Sequence, residues 1–246
     1  MGKIILFMDL DNTIFQTLRK NPDGVIPATK SAFTDKGSYM TQAQGVLFEL
    51  FHESEKVIVI PTTARDLEQY NNTLLSNSSK IETAILYFSG MIIEKGREER
   101  QWRQQIRRSY QALERPIFRL YREAAEIIDD CPLFVLYNVD DYYVSVKARH
   151  ECEISRREDV FSRLRSIKTE EYYIHQNGRA LSFLPKFLDK KFAVQYLIEK
   201  YQPDMTLGIG DSLTDLSFMS VCDFQMFPKN TQIETLLSEI YDFSDN

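Results

Sequence analysis

Lys3-Ile4-Ile5-Leu6-Phe7-Met8-Asp9-Leu10-Asp11-Asn12-Thr13 is the stretch that decides the fold. Its apolar run is continuous rather than alternating, the pattern of a strand covered on both faces in a parallel sheet. The run then stops at two carboxylates. Side chains alternate along a strand, so Asp9 and Asp11 are expected to project in the same sense. Like charges that close require a cation or a shared proton, unless they merely cap the turn that follows.

Outward from this strand the same pattern repeats. Thr41 is placed to cap a helix through His52, with Val46, Leu47, Leu50 and Phe51 as its apolar stripe. Val57–Ile60 reads as a second buried strand, residues 66–75 as a helix, and Thr83–Phe88 as a third strand. Strand, helix, strand, helix, strand signals a parallel sheet with crossover helices. The polar stretch Asn21–Ser38 reads as a surface excursion.

Between Gly90 and Leu184 the pattern changes. An arginine-rich helical stretch runs from Glu98 to Ile128, with a break expected at Pro116. Trp102, Ile106 and Leu113 form its buried stripe, and Arg97, Arg100, Arg103, Arg107 and Arg108 read chiefly as a solvated face. Two hairpins follow, Leu133–Asn138 with Tyr142–Lys147, and Tyr172–His175 with Ala180–Leu184. Asn177-Gly178 is the turn signal of the second, as a type I′ pair. A helix is expected between them at Arg156–Ser166. The first pattern resumes with a helix at Lys190–Tyr201, a strand at Met205–Ile209, a helix at Leu213–Val221, a strand at Phe224–Phe227 and a helix at Ile233–Tyr241. The predicted organisation is an α/β core of residues 1–89 and 185–246, interrupted by an α+β module at 90–184.

Composition excludes several classes of function. With 43% apolar and 12% aromatic residues among 246, the chain is neither disordered nor fibrous. Three cysteines without CxxC spacing argue against a disulfide framework or a zinc cluster, and predict reduced thiols in the cytoplasm. Thirty basic residues against 36 acidic ones, a net charge of -6, disfavour nucleic acid as a partner. No apolar run approaches the ~20 residues that span a bilayer, so no membrane partner is expected.

A second carboxylate pair stands in Gly208-Ile209-Gly210-Asp211-Ser212-Leu213-Thr214-Asp215, directly after the Met205 strand. Ligand sites in open parallel sheets form beyond the carboxyl ends of the strands. If this strand neighbours the first, four carboxylates converge, an all-oxygen set suited to Mg²⁺. Either pair alone could be helix capping; two pairs, each closing an apolar strand, favour a site. Pro61-Thr62-Thr63-Ala64-Arg65 adds a hydroxyl and N–H groups at a helix start, where anions are favoured. Lys190, opening the helix that returns from the insert, adds a positive charge.

These residues together resemble the haloacid-dehalogenase-superfamily phosphatases that carry the second type of cap, such as the Cof-type sugar phosphatases and sucrose-phosphate phosphatases. Asp9–Thr13 matches the family's DxDNT motif, and Thr63-Ala64-Arg65 lies where relatives have Thr-Gly-Arg. Pro185–Lys190 resembles the segment presenting the motif lysine, which selects Lys190 over Lys186 or Lys191. Gly210–Asp215 resembles GDxxxD, and Ser89-Gly90-Met91 resembles the entry into the cap. Ala64 in place of Gly leaves open whether Thr62 or Thr63 touches phosphate. Thr214 stands where many relatives have Asn, and the loop before the first helix is long.

The resemblance implies a doubly wound, Rossmann-like parallel-sheet core with an inserted α+β cap at 90–184. It implies a Mg²⁺-dependent phosphatase acting on a small phosphorylated metabolite, with a sugar phosphate suggested by cap type. Asp9 would be the nucleophile that forms an aspartyl-phosphate, and Asp11 the general acid and base. Thr63 and Lys190 would hold the phosphoryl oxygens. The metal set would be Asp9, the Asp11 carbonyl and Asp211, supported by Asp215. Two alternatives differ in chemistry. A phosphosugar mutase of the phosphomannomutase type would return the phosphoryl group to the sugar, and a binding protein would transfer nothing. Lys147 and Arg149 are further candidates for a substrate contact in the cap, whereas His52, His150 and His175 show no ligand spacing.

Overall fold

The computed structural model describes residues 3–34, 37–167 and 170–241. In chain order the elements are β1 (Ile4–Met8), β2 (Ile26–Pro27), β3 (Tyr39–Met40), α1 (Gln42–His52), β4 (Val57–Pro61), α2 (Leu67–Asn71), β5 (Thr83–Leu86), β6 (Met91–Glu94) and β7 (Arg97–Glu98). There follow α3 (Arg100–Gln111), α4 (Ile117–Ile128), β8 (Phe134–Val139), β9 (Tyr143–Ala148), α5 (Ile154–Arg165), β10 (Tyr172–Asn177) and β11 (Ala180–Pro185). Last come α6 (Lys190–Tyr201), β12 (Met205–Ile209), α7 (Leu216–Met219), β13 (Phe224–Met226) and α8 (Gln232–Tyr241). Two compact units result, residues 1–103 with 189–246, and residues 104–188. Among the described residues, no helix is long and apolar enough to cross a membrane.

The first unit is organised by a four-stranded parallel sheet in the order β13-β12-β1-β4. β1 lies inside it, and Ile5, Leu6, Phe7 and Met8 are all buried, as a continuous apolar run requires. Thr41 caps α1 through a reciprocal capping box with Gln44, and the Asp66 side chain caps α2. β5 meets the sheet at a parallel bridge from Thr62 to Ile85, then pairs antiparallel with β6, which pairs with β7. The compact insert therefore starts at Gln104 rather than near 90, because residues 91–98 extend a small sheet built on β5.

Other differences from the sequence reading are local. β5 stops at Leu86 because Tyr87 and Phe88 adopt left-handed φ of 51° and 65°, unusual for bulky residues. Their N–H groups bond Arg65 O and Thr63 O at 2.9 and 3.1 Å, which ties them to the loop after β4. The helices expected at 66–75 and 213–221 shrink to Leu67–Asn71 and Leu216–Met219. The Asn21–Ser38 stretch contributes β2 and a 3-10 turn, and buries Ala28, Thr29, Ala32 and Ser38. Trp102 is core, donating Nε1–H to Ser89 O at 2.7 Å and lying 5.2 Å from the Tyr196 ring. Arg97, Arg100, Arg103, Arg107 and Arg108 are exposed.

The second unit is an antiparallel sheet in the order β10-β11-β9-β8 with α4 and α5 against it. Its core joins Leu120 and Ala124 of α4, Phe161 and Leu164 of α5, and the alternate sheet residues Val144, Val146, Leu181 and Phe183. The break at Pro116 falls where expected, with Pro116 at the N-cap of α4. In the β10–β11 hairpin Asn177 pairs with Ala180, so the two turn residues are Gly178 and Arg179. Only Gly178 has positive φ, the pattern of a type II′ turn rather than the expected type I′.

Phe161 is fully buried at the centre of this second core. Phe161→Ala is expected to cost about 3–5 kcal/mol, read as a lowered denaturant midpoint.

Candidate active site

The site grows from the carboxyl end of β1. Asp9 N–H donates to Ile209 O at 2.9 Å, and Thr62 N–H donates to Met8 O at 2.8 Å. The ends of β12, β1 and β4 thus lie side by side, bringing three loops of the sequence together. After Asp9 the chain turns sharply. Asn12 takes a left-handed φ of 67°, which its short polar side chain tolerates, while Ile14 and Phe15 N–H bond back to Leu10 O. That turn returns the Thr13 hydroxyl to Asp9, to which it donates at 2.9 Å, with Asp211 at 3.4 Å.

Asp9, Asp211 and Asp215 each offer an oxygen, and these oxygens lie within 4.8 Å of one another, all three residues being buried. Among the described residues, the ammonium of Lys190 bonds two of them directly. Lys190 Nζ donates to Asp9 Oδ1 at 2.6 Å and to Asp215 Oδ1 at 2.7 Å. It reaches them from the first turn of α6, whose N-cap Asp189 also accepts from Ser217 Oγ. Burial works against the Lys190 charge, but Asp215 and Asp9 outweigh it and raise its pKa. Burial and then the Asp215 charge push Asp9 up to about 8 despite Lys190, and the same two causes push Asp211 up to about 6. Fully ionised, the three acids would exceed the one ammonium bonded to them by two negative charges in a buried place. An all-oxygen donor set with that deficit fits a hard divalent cation such as Mg²⁺.

The three acids are not equivalent. Asp215 is saturated: beyond Lys190, its Oδ2 accepts from Ser212 N–H at 3.0 Å, Asp211 N–H at 3.3 Å and Ser212 Oγ at 2.7 Å. It organises the loop and Lys190, whereas Asp9 and Asp211 keep lone pairs facing the cluster. Gly210 makes this possible, since a Cβ there would stand 2.5 Å from Asp215 Cβ.

Asp11 does not join the cluster. β1 ends at Met8, so strand alternation no longer governs Asp11. Its carboxylate instead accepts two bonds from Arg65, Nε to Oδ2 at 2.7 Å and Nη2 to Oδ1 at 2.8 Å. Of the four carboxylates expected to converge, three do. The two threonines also separate. Thr62 donates its hydroxyl to Ile60 O at 3.1 Å, while Thr63 Oγ accepts from Arg65 N–H at 3.2 Å. Thr63 therefore retains a proton to donate to an anion. Arg65, Thr13 and Ser212 all contact site residues and were assigned no role from sequence. Each lies inside a segment quoted above: Thr13 closes Asp9–Thr13, Arg65 closes Thr63-Ala64-Arg65, and Ser212 follows Asp211.

A sheet of this order, with Asp9 at the end of an interior strand, a lysine reaching it from the helix after an α+β insert, and a GDxxxD loop on the neighbouring strand, defines the haloacid-dehalogenase class of phosphatases. Within that class the chain belongs to the sucrose-6F-phosphate phosphohydrolase family, whose sequence profile matches residues 3–232. It is thus a phosphatase, hydrolysing phosphoric monoesters. The fold is similar to the sucrose-phosphatase of Synechocystis, solved with sucrose and phosphate (TM-score 0.60, 15% identity, 100% of this chain and 90% of that one). It is also similar to the C-terminal domain of the Candida albicans trehalose-6-phosphate phosphatase (0.57, 12%, 89% and 73%). A Thermoplasma acidophilum protein shares it as well (0.55, 14%, 96% and 89%). A search of curated proteins gave no match.

The raised carboxylate pKa values have a consequence for stability. Folded Asp9 and Asp211 retain protons at pH values where the unfolded chain, with a carboxylate pKa of 3.8, has released them. Between about pH 4 and 8 the unfolded state binds fewer protons, so stability falls as pH rises through this window. The metal-free protein is expected to melt at a higher temperature at pH 6 than at pH 8. Asp9→Asn should flatten that dependence and raise Tm at pH 8, as differential scanning calorimetry will show.

Proposed function

We propose that the protein is a Mg²⁺-dependent phosphatase of phosphorylated sugars that works through an aspartyl-phosphate on Asp9. The observation that carries this reading is the buried Asp9 carboxylate at the end of β1, held by Lys190 at 2.6 Å and Thr13 at 2.9 Å within an excess of negative charge. Asp9, the Asp11 carbonyl and Asp211 would hold the Mg²⁺, with Asp215 fixing the loop and Lys190. When bound, the ion supplies the charge neutralisation that an anionic nucleophile needs to meet an anionic phosphate.

In this reading Lys190 and the Thr63 hydroxyl hold non-bridging phosphoryl oxygens. An Asp9 oxygen attacks phosphorus while the ester oxygen leaves, and Asp11 gives that oxygen its proton. Asp11, now ionised, then takes a proton from water, whose oxygen attacks phosphorus and returns Asp9 as a carboxylate. Splitting one difficult displacement into two is the gain from the covalent intermediate. The 104–188 unit is proposed as the cap that selects the alcohol, within a catalytic core of residues 1–103 and 189–246. A phosphorylated sugar is supported by the family's description as sucrose-6F-phosphate phosphohydrolases. A reducing, cytoplasmic setting is supported by the unpaired Cys131, Cys152 and Cys222.

The test is phosphate release from sucrose 6F-phosphate, glucose 6-phosphate, fructose 6-phosphate, glycerol phosphate and p-nitrophenyl phosphate, with Mg²⁺ or with a chelator. Release is expected with Mg²⁺ and no sugar bisphosphate, fastest on one of the sugar esters, and lost with chelator or in Asp9→Asn. Release only when a sugar bisphosphate is present would make the protein a mutase. Sugar esters turned over no faster than glycerol phosphate would overturn the substrate class.

A further inference from the structure

We propose that Arg65 is the positioning residue for Asp11, holding its carboxylate in one orientation for proton transfer to the leaving alcohol. This rests on the reading above that Asp11 is the acid. In the step concerned, a bond forms between an Asp9 oxygen and phosphorus as the phosphorus–ester oxygen bond breaks. The electron pair of the broken bond stays on the ester oxygen, which takes the proton of Asp11.

The two partners are unequal. The Asp11 side chain is 48% exposed and lies past the end of β1, where an isolated bridge to Phe15 rather than the sheet orders its backbone. The Arg65 side chain is 13% exposed and fixed on every side. Its Nε and Nη2 take one Asp11 oxygen each, its Nη1 donates to Gln69 O at 3.1 Å, and its guanidinium lies 4.9 Å from the ring of the buried Phe15. Its backbone is held as well, since Arg65 N–H donates to Thr63 Oγ and Arg65 O accepts from Tyr87 N–H at 2.9 Å. The rigid member is the arginine and the adjustable one is the acid.

The half-exposed Asp11 carboxylate can be solvated without a partner, although the buried Arg65 guanidinium gains a counter-charge from it. A proton donor does need orientation, because small misplacements cost rate steeply. The fork suits the purpose. A carboxylate has about four lone-pair positions and the guanidinium uses two, one on each oxygen, leaving a position on each for the proton. Two parallel bonds also stop the carboxylate rotating, which a single ammonium contact would allow.

A general acid matters only when the leaving group is poor, so the test varies the leaving group. The quantity measured is kcat/KM, which reports steps up to departure of the alcohol, for the fastest sugar ester of the panel and for p-nitrophenyl phosphate. Arg65→Met should lower it for the sugar ester by roughly 10- to 100-fold, part of the ~10²–10⁴ a general acid contributes, and for p-nitrophenyl phosphate by less than about threefold. Asp11→Asn should show the same selectivity more strongly, and adding Arg65→Met to it should change neither substrate further. Arg65→Lys, which keeps the charge and guards against misfolding, should show the same selectivity with a smaller loss. Parallel losses on both esters, or losses that multiply in the double variant, would show Arg65 acting on phosphate or on the fold and would overturn the proposal while leaving Asp11 as the acid. An Asp11→Asn that does not distinguish the esters would overturn both.

Discussion

The Lys190 ammonium, shared between Asp9 and Asp215, is the interaction on which the arrangement of the site depends. It joins β1, the loop after β12 and the first turn of α6, three segments far apart in the chain. Removing the Lys190 ammonium would leave the buried acids without the cation bonded to them, which is strongly destabilising. Even with all partners present, Lys190 cannot neutralise three acids, and burial together with the neighbouring Asp215 charge raises Asp9 and Asp211. The molecule thus carries a local instability at the place where its chemistry lies, stabilised by the closely packed parallel strands beneath it.

Those strands do more than support the site. The parallel register of β1 with β12 and β4 aligns three carboxyl ends, so each following loop enters the same small volume. Side-chain detail then assigns roles that composition does not distinguish. Asp215, with its lone pairs taken by Lys190 and Ser212, is a structural acid; Asp9 and Asp211 keep free lone pairs; Asp11 is drawn to Arg65 at the periphery. Four aspartates of one sequence therefore have three environments.

Most of the fold was legible because its signals are short-range. Continuous apolar runs such as Ile4–Met8 mark buried parallel strands, and Thr41 and Asp66 mark helix starts through bonds made within three residues. The errors arose where a distant partner decides. Residues 91–98 pair with β5 and so belong with the core, and Tyr87 and Phe88 are bent out of the strand by bonds to Thr63 and Arg65. The β10–β11 turn moved by one residue because its register is set by the whole ladder and not by the Asn177-Gly178 pair.

The order and types of Asp9, Asp11, Thr63, Lys190, Asp211 and Asp215 were determined by sequence alone, as was the placement of Lys190 at a helix start and of the others beyond apolar strands. That suffices to indicate the class of chemistry, since each motif is a local pattern of strand end and turn. Which acids share a cation, which threonine keeps a proton, and which arginine holds Asp11 were decided only by the tertiary structure. The reason is physical: hydrogen bonds and Coulomb interactions of this strength act over a few ångströms. Only the folded sheet brings residues 9, 190 and 215, or 11 and 65, within that range.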